Sequence, residues 1–105
     1  MFNVYRLLGK PGDVFHGDCI LLKQEVIEEE QYDDGGTTFR MIVLAMRPGA
    51  VEPFVTWSRW ITFNDDGTVR ADDCCWGHYY RELNEKVMRD FDLRVSLGLR
   101  RELEV

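Results

Sequence analysis

The sequence predicts an α+β domain in which an antiparallel sheet of four to five strands carries one C-terminal helix packed on one face. Three observations point there. Apolar segments of strand-like alternation recur between residues 18 and 80, Asp-Gly and Gly-Gly steps separate them, and only the last quarter of the chain adopts helical spacing. At 105 residues, 45% of them hydrophobic, the chain holds material for one core and not for two. Residues 1–105 are therefore expected to form a single domain.

"FNVYRLL", residues 2–8, alternates as a first strand, and "KPGDVFHGD" reads as a loop because Pro11, Gly12 and Gly17 punctuate it. Residues 18–29 combine the helix formers Glu, Gln and Lys with β-branched Ile20, Val26 and Ile27; the Asp-Asp-Gly-Gly that follows favours a strand. "YDDGG", residues 32–36, supplies the positive φ angles of a tight hairpin. Beyond it "TTFRMIVLAM", residues 37–46, is apolar on both faces from Met41 onward. That marks a central strand, with the helix over one face and another layer, such as a partner or a second copy, over the other.

"RPGAVEP" interrupts the pattern, and "FVTWSRWITF", residues 54–63, resumes it with Val55, Trp57, Ile61 and Phe63 on one face and Trp60 out of phase and exposed. After the turn "NDDG", "CCWGHYY", residues 74–80, reads as a core strand with Cys74, Trp76, His78 and Tyr80 on one face. There Trp76 is expected beneath the helix near Val87 and Phe91, and His78 as a hydrogen-bonded strand residue. Residues 82–97 form the helix, with Leu83, Val87, Met88, Phe91 and Val95 as its apolar stripe and Gly98 as its stop.

The formal net charge is −6 and the pI near 4.8, which argues against a nucleic-acid or anionic-membrane binder, because those need a basic surface. A basic protein is the expected partner. Between Gln24 and Phe39 the chain carries Glu25, Glu28, Glu29, Glu30, Asp33 and Asp34 with no Lys or Arg, and "NDDGTVRADD" sets Asp65, Asp66, Asp72 and Asp73 against Arg70 alone. No run approaches the ~18 apolar residues of a membrane span, and no secretory signal is legible. Cys19, Cys74 and Cys75 cannot all pair within the chain, which fits a reducing cytoplasm.

Four chemistries compete for these residues. "HGDC" and "CCWGH" together could by composition supply four zinc ligands, but along a strand Cys74 and His78 lie about 13 Å apart, too far to share one ion. A Cys-His hydrolase needs a thiolate stabilised by a helix N-terminus or a neighbouring cation, whereas Cys75 sits in a negative field beside Asp72 and Asp73. The aspartate pairs suit Mg²⁺, yet they stand where solvated turn carboxylates are ordinary. Trp57, Trp60, Trp76, Tyr79 and Tyr80 offer stacking surfaces for bases, but only Arg59 and Arg81 accompany them.

"PFVTW" at 53–57, "WGHYY" at 76–80 and "RDFDLR" at 89–94 together resemble a group of small proteins encoded on phages and conjugative elements of Gram-positive gut bacteria. Small acidic proteins of such elements include anti-CRISPR proteins, and this chain is similar in size and charge to type II-A inhibitors of Cas9. The resemblance covers roughly residues 53–95. It implies a non-enzymatic protein, without cofactor or metal, that binds Cas9 or its guide RNA complex in a bacterial cytoplasm.

The expected partner-binding residues are Glu28, Glu29, Glu30, Asp33 and Asp34, with Asp65, Asp66, Asp72 and Asp73 as a second set, presenting carboxylates to Lys and Arg that would otherwise hold nucleic acid. Two alternatives stand beside this. One is a metal-dependent enzyme acting on nucleic acid, and the other a structural or host-takeover factor of a mobile element. Whichever holds, an uncovered sheet face would leave room for a homodimer.

Overall fold

The computed structural model describes residues 8–104, with side chains through residue 100. Five strands follow one another: β1 (Val14–Phe15), β2 (Cys19–Gln31), β3 (Thr37–Met46), β4 (Phe54–Phe63) and β5 (Val69–Tyr80), and α1 (Glu85–Glu104) closes the chain. All neighbours pair antiparallel in the order β1-β2-β3-β4-β5, so the sheet is a simple meander. The expected α+β architecture is what forms. Among the described residues no helix is long and apolar enough to cross a membrane. All of the expected first strand except Leu8 lies outside the described residues. The segment read as a loop after it contributes β1.

β3 is central, as its two apolar faces require, and each face feeds a different cluster. Phe39, Met41, Val43 and Ala45 join Leu21, Val55, Trp57, Ile61 and Phe63 in the larger one. Ile42 and Leu44 meet Ile27, Val87 and Phe91 beneath α1. The face opposite the helix is not left open, because the sheet curls over it. Three strand spacings would put β1 about 14 Å from β4 in a flat sheet, yet the Phe15 and Trp57 rings are 6.4 Å apart.

Two bulges in β2, between Leu21 and Lys23 and between Val26 and Glu28, add curvature. They also turn Leu22 and Ile27 toward the helix.

Capped by Asn84, α1 starts three residues later than the periodicity indicates: the Asn84 side-chain oxygen accepts the Lys86 N–H at 3.1 Å, which leaves Leu83 outside the helix and exposed. Gly98 does not stop the helix. α1 runs on to Glu104, and Gly98 is where the helix meets β2, since a Cβ there would lie 2.4 Å from Ile27 Cδ1. The glycine answers to packing and not to a left-handed cap.

β5 corrects the reading of a core strand. It is an edge strand, exposed or half-exposed along its whole length. Trp76 does not lie beneath the helix near Val87 and Phe91; it is 68% exposed, whereas Trp57 on β4 is 6% exposed. A bulge opposite Trp57 breaks the alternation that would align Cys74, Trp76, His78 and Tyr80: Cys75 pairs with Ser58 and His78 with Thr56, and Trp76 takes a left-handed φ of 56°. Gly77 follows because a Cβ there would stand 2.7 Å from Trp57 Nε1 and 2.6 Å from the Tyr79 hydroxyl.

Candidate functional site

The two acidic turns form for the same local reason. In the β2–β3 hairpin the Tyr32 N–H donates to Gly36 O at 2.8 Å, and Asp34 Oδ1 accepts the Gly36 N–H at 2.8 Å. Gly35 supplies the positive φ. In the β4–β5 turn the Asn64 N–H donates to Thr68 O at 2.8 Å, and Asp66 Oδ1 accepts both the N–H and the hydroxyl of Thr68. Those hydrogen bonds, the backbone one foremost, hold the Asp66 carboxyl below its ordinary pKa.

A meander places alternate turns at the same end of the sheet, and here they touch. A Cβ on Gly35 would fall 2.9 Å from Asp65 Cβ, so Asp33, Asp34, Asp65 and Asp66 share one end of the molecule. The pairing adds a row across the helix-side face, in which Glu28 stands opposite Arg40, Arg40 opposite Trp60, and Trp60 opposite Asp73. Glu30 follows Glu28 on that face, two residues nearer the tip, and Glu29 lies between them, opposite Phe39.

The fold corrects the expectation in two respects. The first cluster does have basic neighbours: Arg40 approaches Glu28 at 3.9 Å, and Arg70 approaches Asp34 at 3.6 Å while lying over the Tyr32 ring. Asp72 and Asp73 are strand residues of β5, not part of the turn, and they separate. Asp72 belongs to the opposite face, where it holds the buried Arg59 in two parallel bonds, Nε to Oδ1 at 2.9 Å and Nη2 to Oδ2 at 2.7 Å. Arg59 Nη1 donates to Leu8 O and Gln24 Oε1, and its guanidinium lies over the Phe15 ring.

Asp72 thus neutralises a core cation and presents no free carboxylate. Glu30, Asp33, Asp65 and Asp73 make no ion pair among the described residues.

A polar cluster that the sequence did not announce sits where α1 crosses β4 and β5. Asp90 accepts the Thr56 hydroxyl at 2.7 Å and meets His78 Nδ1 at 2.9 Å. Burial opposes ionisation of Asp90, but the hydrogen bonds from Thr56, His78 and Tyr80 outweigh it and hold the pKa below the ordinary value. Arg94 donates to Thr56 O at 2.9 Å and to Ser58 Oγ at 3.2 Å. Only the polar Thr56 and Ser58 inside the apolar run of β4 hinted at these helix partners.

The Thr56 hydroxyl is spent on Asp90 and not on the imidazole, so these three residues do not form a nucleophile–base pair. His78 is hydrogen-bonded as expected. The bulge puts Cys74 on the core face and His78 on the helix face, so the two cannot converge on one ion. Burial, with the Asp72 charge, pushes the Cys74 thiol up to about 12, and burial raises Cys19 as well. Cys75 is exposed. No protein-family model, no curated protein and no solved structure matches this chain.

Proposed function

We propose that this protein is a non-enzymatic protein-binding domain whose acidic sheet end engages a basic partner. The observation that carries this reading is the contact between the two acid-bearing turns at Gly35 and Asp65, which merges two charge clusters into one surface. Carboxylates so gathered repel one another, and a partner's Lys and Arg relieve that repulsion. The resemblance to mobile-element proteins makes Cas9 the partner to try first. Its guide duplex and DNA run through positively charged channels, so a protein covering those cations with Glu30, Asp33, Asp65 and Asp73 would act as an anti-CRISPR inhibitor.

The test compares the native chain with a Glu30→Lys, Asp33→Lys, Asp73→Lys variant for binding to Cas9, with and without guide RNA, at low and high salt. We expect binding to the native chain that weakens with salt, and a loss of at least about tenfold in the variant, with stability changed by only about 0.5 kcal/mol per site. Absence of Cas9 binding removes that partner. If a pull-down from bacterial lysate then retains the same proteins on native and variant chains, the acidic end is not the recognition surface.

A further inference from the structure

On the helix face of the sheet a groove of about 390 Å³ runs beside α1, and its lining includes Arg40, Ile42, Ser58, Trp76, Arg94 and Leu97. Its volume lies at the lower end of the range for small-molecule sites, about 300 to 1,000 Å³. Among the described residues both charged members of the lining are cations, and no carboxylate is among them. Arg94 is pinned against β4 through Thr56 and Ser58, so its guanidinium is held in place before any ligand arrives.

Arg40 lies over the Trp60 ring, 5.2 Å from its centroid. Its Nε is buried without a hydrogen-bond partner, and its Nη1 stands 3.9 Å from Glu28 Oε2, beyond hydrogen-bond length. The Arg40 guanidinium thus meets Glu28 only beyond hydrogen-bond length, which leaves its Nη1 able to donate to an acceptor on a ligand.

Trp76 completes the groove at a cost to its own backbone. A left-handed φ is rare for a bulky residue and persists where the surroundings dictate it, which is a common condition of ligand clamps. Here the packing of Gly77 against Trp57 and Tyr79 fixes the bulge, and Trp76 is projected edge-on to Trp60 at 5.3 Å with most of its surface exposed. The groove therefore joins a free indole surface and the aliphatic Ile42 and Leu97 to two preset guanidinium groups.

We propose that this groove binds a small ligand joining a planar aromatic ring to an anionic group, of the mononucleotide class, with the ring against Trp76 and the phosphate on Arg40 and Arg94. Stacking on Trp and charge-assisted bonds from Arg are the two contacts such a molecule requires. The site adjoins the acidic row at Arg40, which approaches Glu28 at 3.9 Å, but it uses none of the carboxylates of that row. A single terminal nucleotide satisfies it as well as a free one, while the net charge of −6 opposes a longer strand.

The experiment titrates adenosine, cytidine, guanosine and uridine monophosphates, adenosine, inorganic phosphate and a 5′-phosphorylated oligonucleotide into the full chain. Calorimetry gives affinity and amide chemical shifts give location. We expect at least one nucleoside monophosphate to bind about tenfold or more tightly than adenosine or phosphate, with shifts around Arg40 and Trp76. Trp76→Ala and Arg40→Gln should each lower that affinity about tenfold while the melting temperature of the Trp76 variant stays within a few degrees. Should the Arg40 variant fail to fold, the Trp76 variant alone decides, because its side chain is outside the core. The proposal is overturned if no monophosphate binds, if phosphate alone binds as tightly, if Trp76→Ala changes nothing, or if the oligonucleotide outcompetes every monophosphate.

Discussion

β4 and β5 lie side by side, each carries tryptophan, and they live in different environments. β4 has a strand on both sides, the curled core on one face and α1 on the other, and nearly all of it is buried. Among the described residues β5 is paired along one edge only, and it presents mostly exposed side chains. Trp57 and Trp76 show the consequence at single residues: the first packs at the centre of the larger cluster, and the second stands over a groove in a strained backbone.

Charge follows the same division. The cation of the pair, Arg59, is buried on β4, and its carboxylate partner Asp72 comes from the more open β5. Position in the sheet, and one bulge, decide what these similar residues do.

The largest test of this contrast is truncation of the two tryptophans. Trp57→Ala is expected to cost about 3 to 5 kcal/mol in urea unfolding, as a large core residue does. Trp76→Ala should stay within about 0.5 kcal/mol, as an exposed position does. Equal losses would mean that β5 is a core strand after all.

Arg59→Met should come next, at about 2 to 3 kcal/mol. Full burial of an orphaned partner costs more, but the Asp72 side chain is 31% exposed and water relieves part of the loss. A neutral result would show that the Arg59 bonds do not tie β5 to the core.

Gly98→Ala probes the helix contact. Helix propensity gains about 1 kcal/mol and overpacking against Ile27 loses about 1 to 3, so a net loss of about 1 is expected. Adding Ile27→Val removes the Cδ1 that the new methyl would meet at 2.4 Å and should recover part of it.

A smaller effect concerns Asp90. Its folded pKa lies below the unfolded value of about 3.9, so its contribution is complete above that pH and is lost as pH falls through the lower folded value. In acid titrations Asp90→Asn should flatten this part of the stability profile below about pH 4.

The smallest perturbation is alkylation of the native protein near pH 8. Cys75 should react first and alone, because Cys74, pushed up to about 12, and Cys19, also raised, are almost wholly protonated there.

The sequence by itself determined what depends on neighbours a few residues away. Alternation in "TTFRMIVLAM" and "FVTWSRWITF" predicted β3 and β4 to the residue, the Asp-Gly and Gly-Gly steps predicted both turns, and the spacing from Val87 to Val95 predicted the apolar stripe of α1. Acidic clusters were also legible, because charge is counted along the chain. Which carboxylates are free was not legible, because Arg40, Arg59 and Arg70 reach Glu28, Asp72 and Asp34 only through strand pairing and side-chain packing.

Strict alternation places Trp76 in the core because it assumes an unbroken ladder. The ladder breaks where Gly77 must clear Trp57, and that neighbour lies on the next strand. A glycine after an apolar stripe usually marks a stop; only the approach of Ile27, far away in sequence, makes Gly98 a contact. Local periodicity is set by backbone geometry and can be read from one segment. Burial, ion pairing and the shape of a groove belong to pairs of segments, and the tertiary structure alone brings those together.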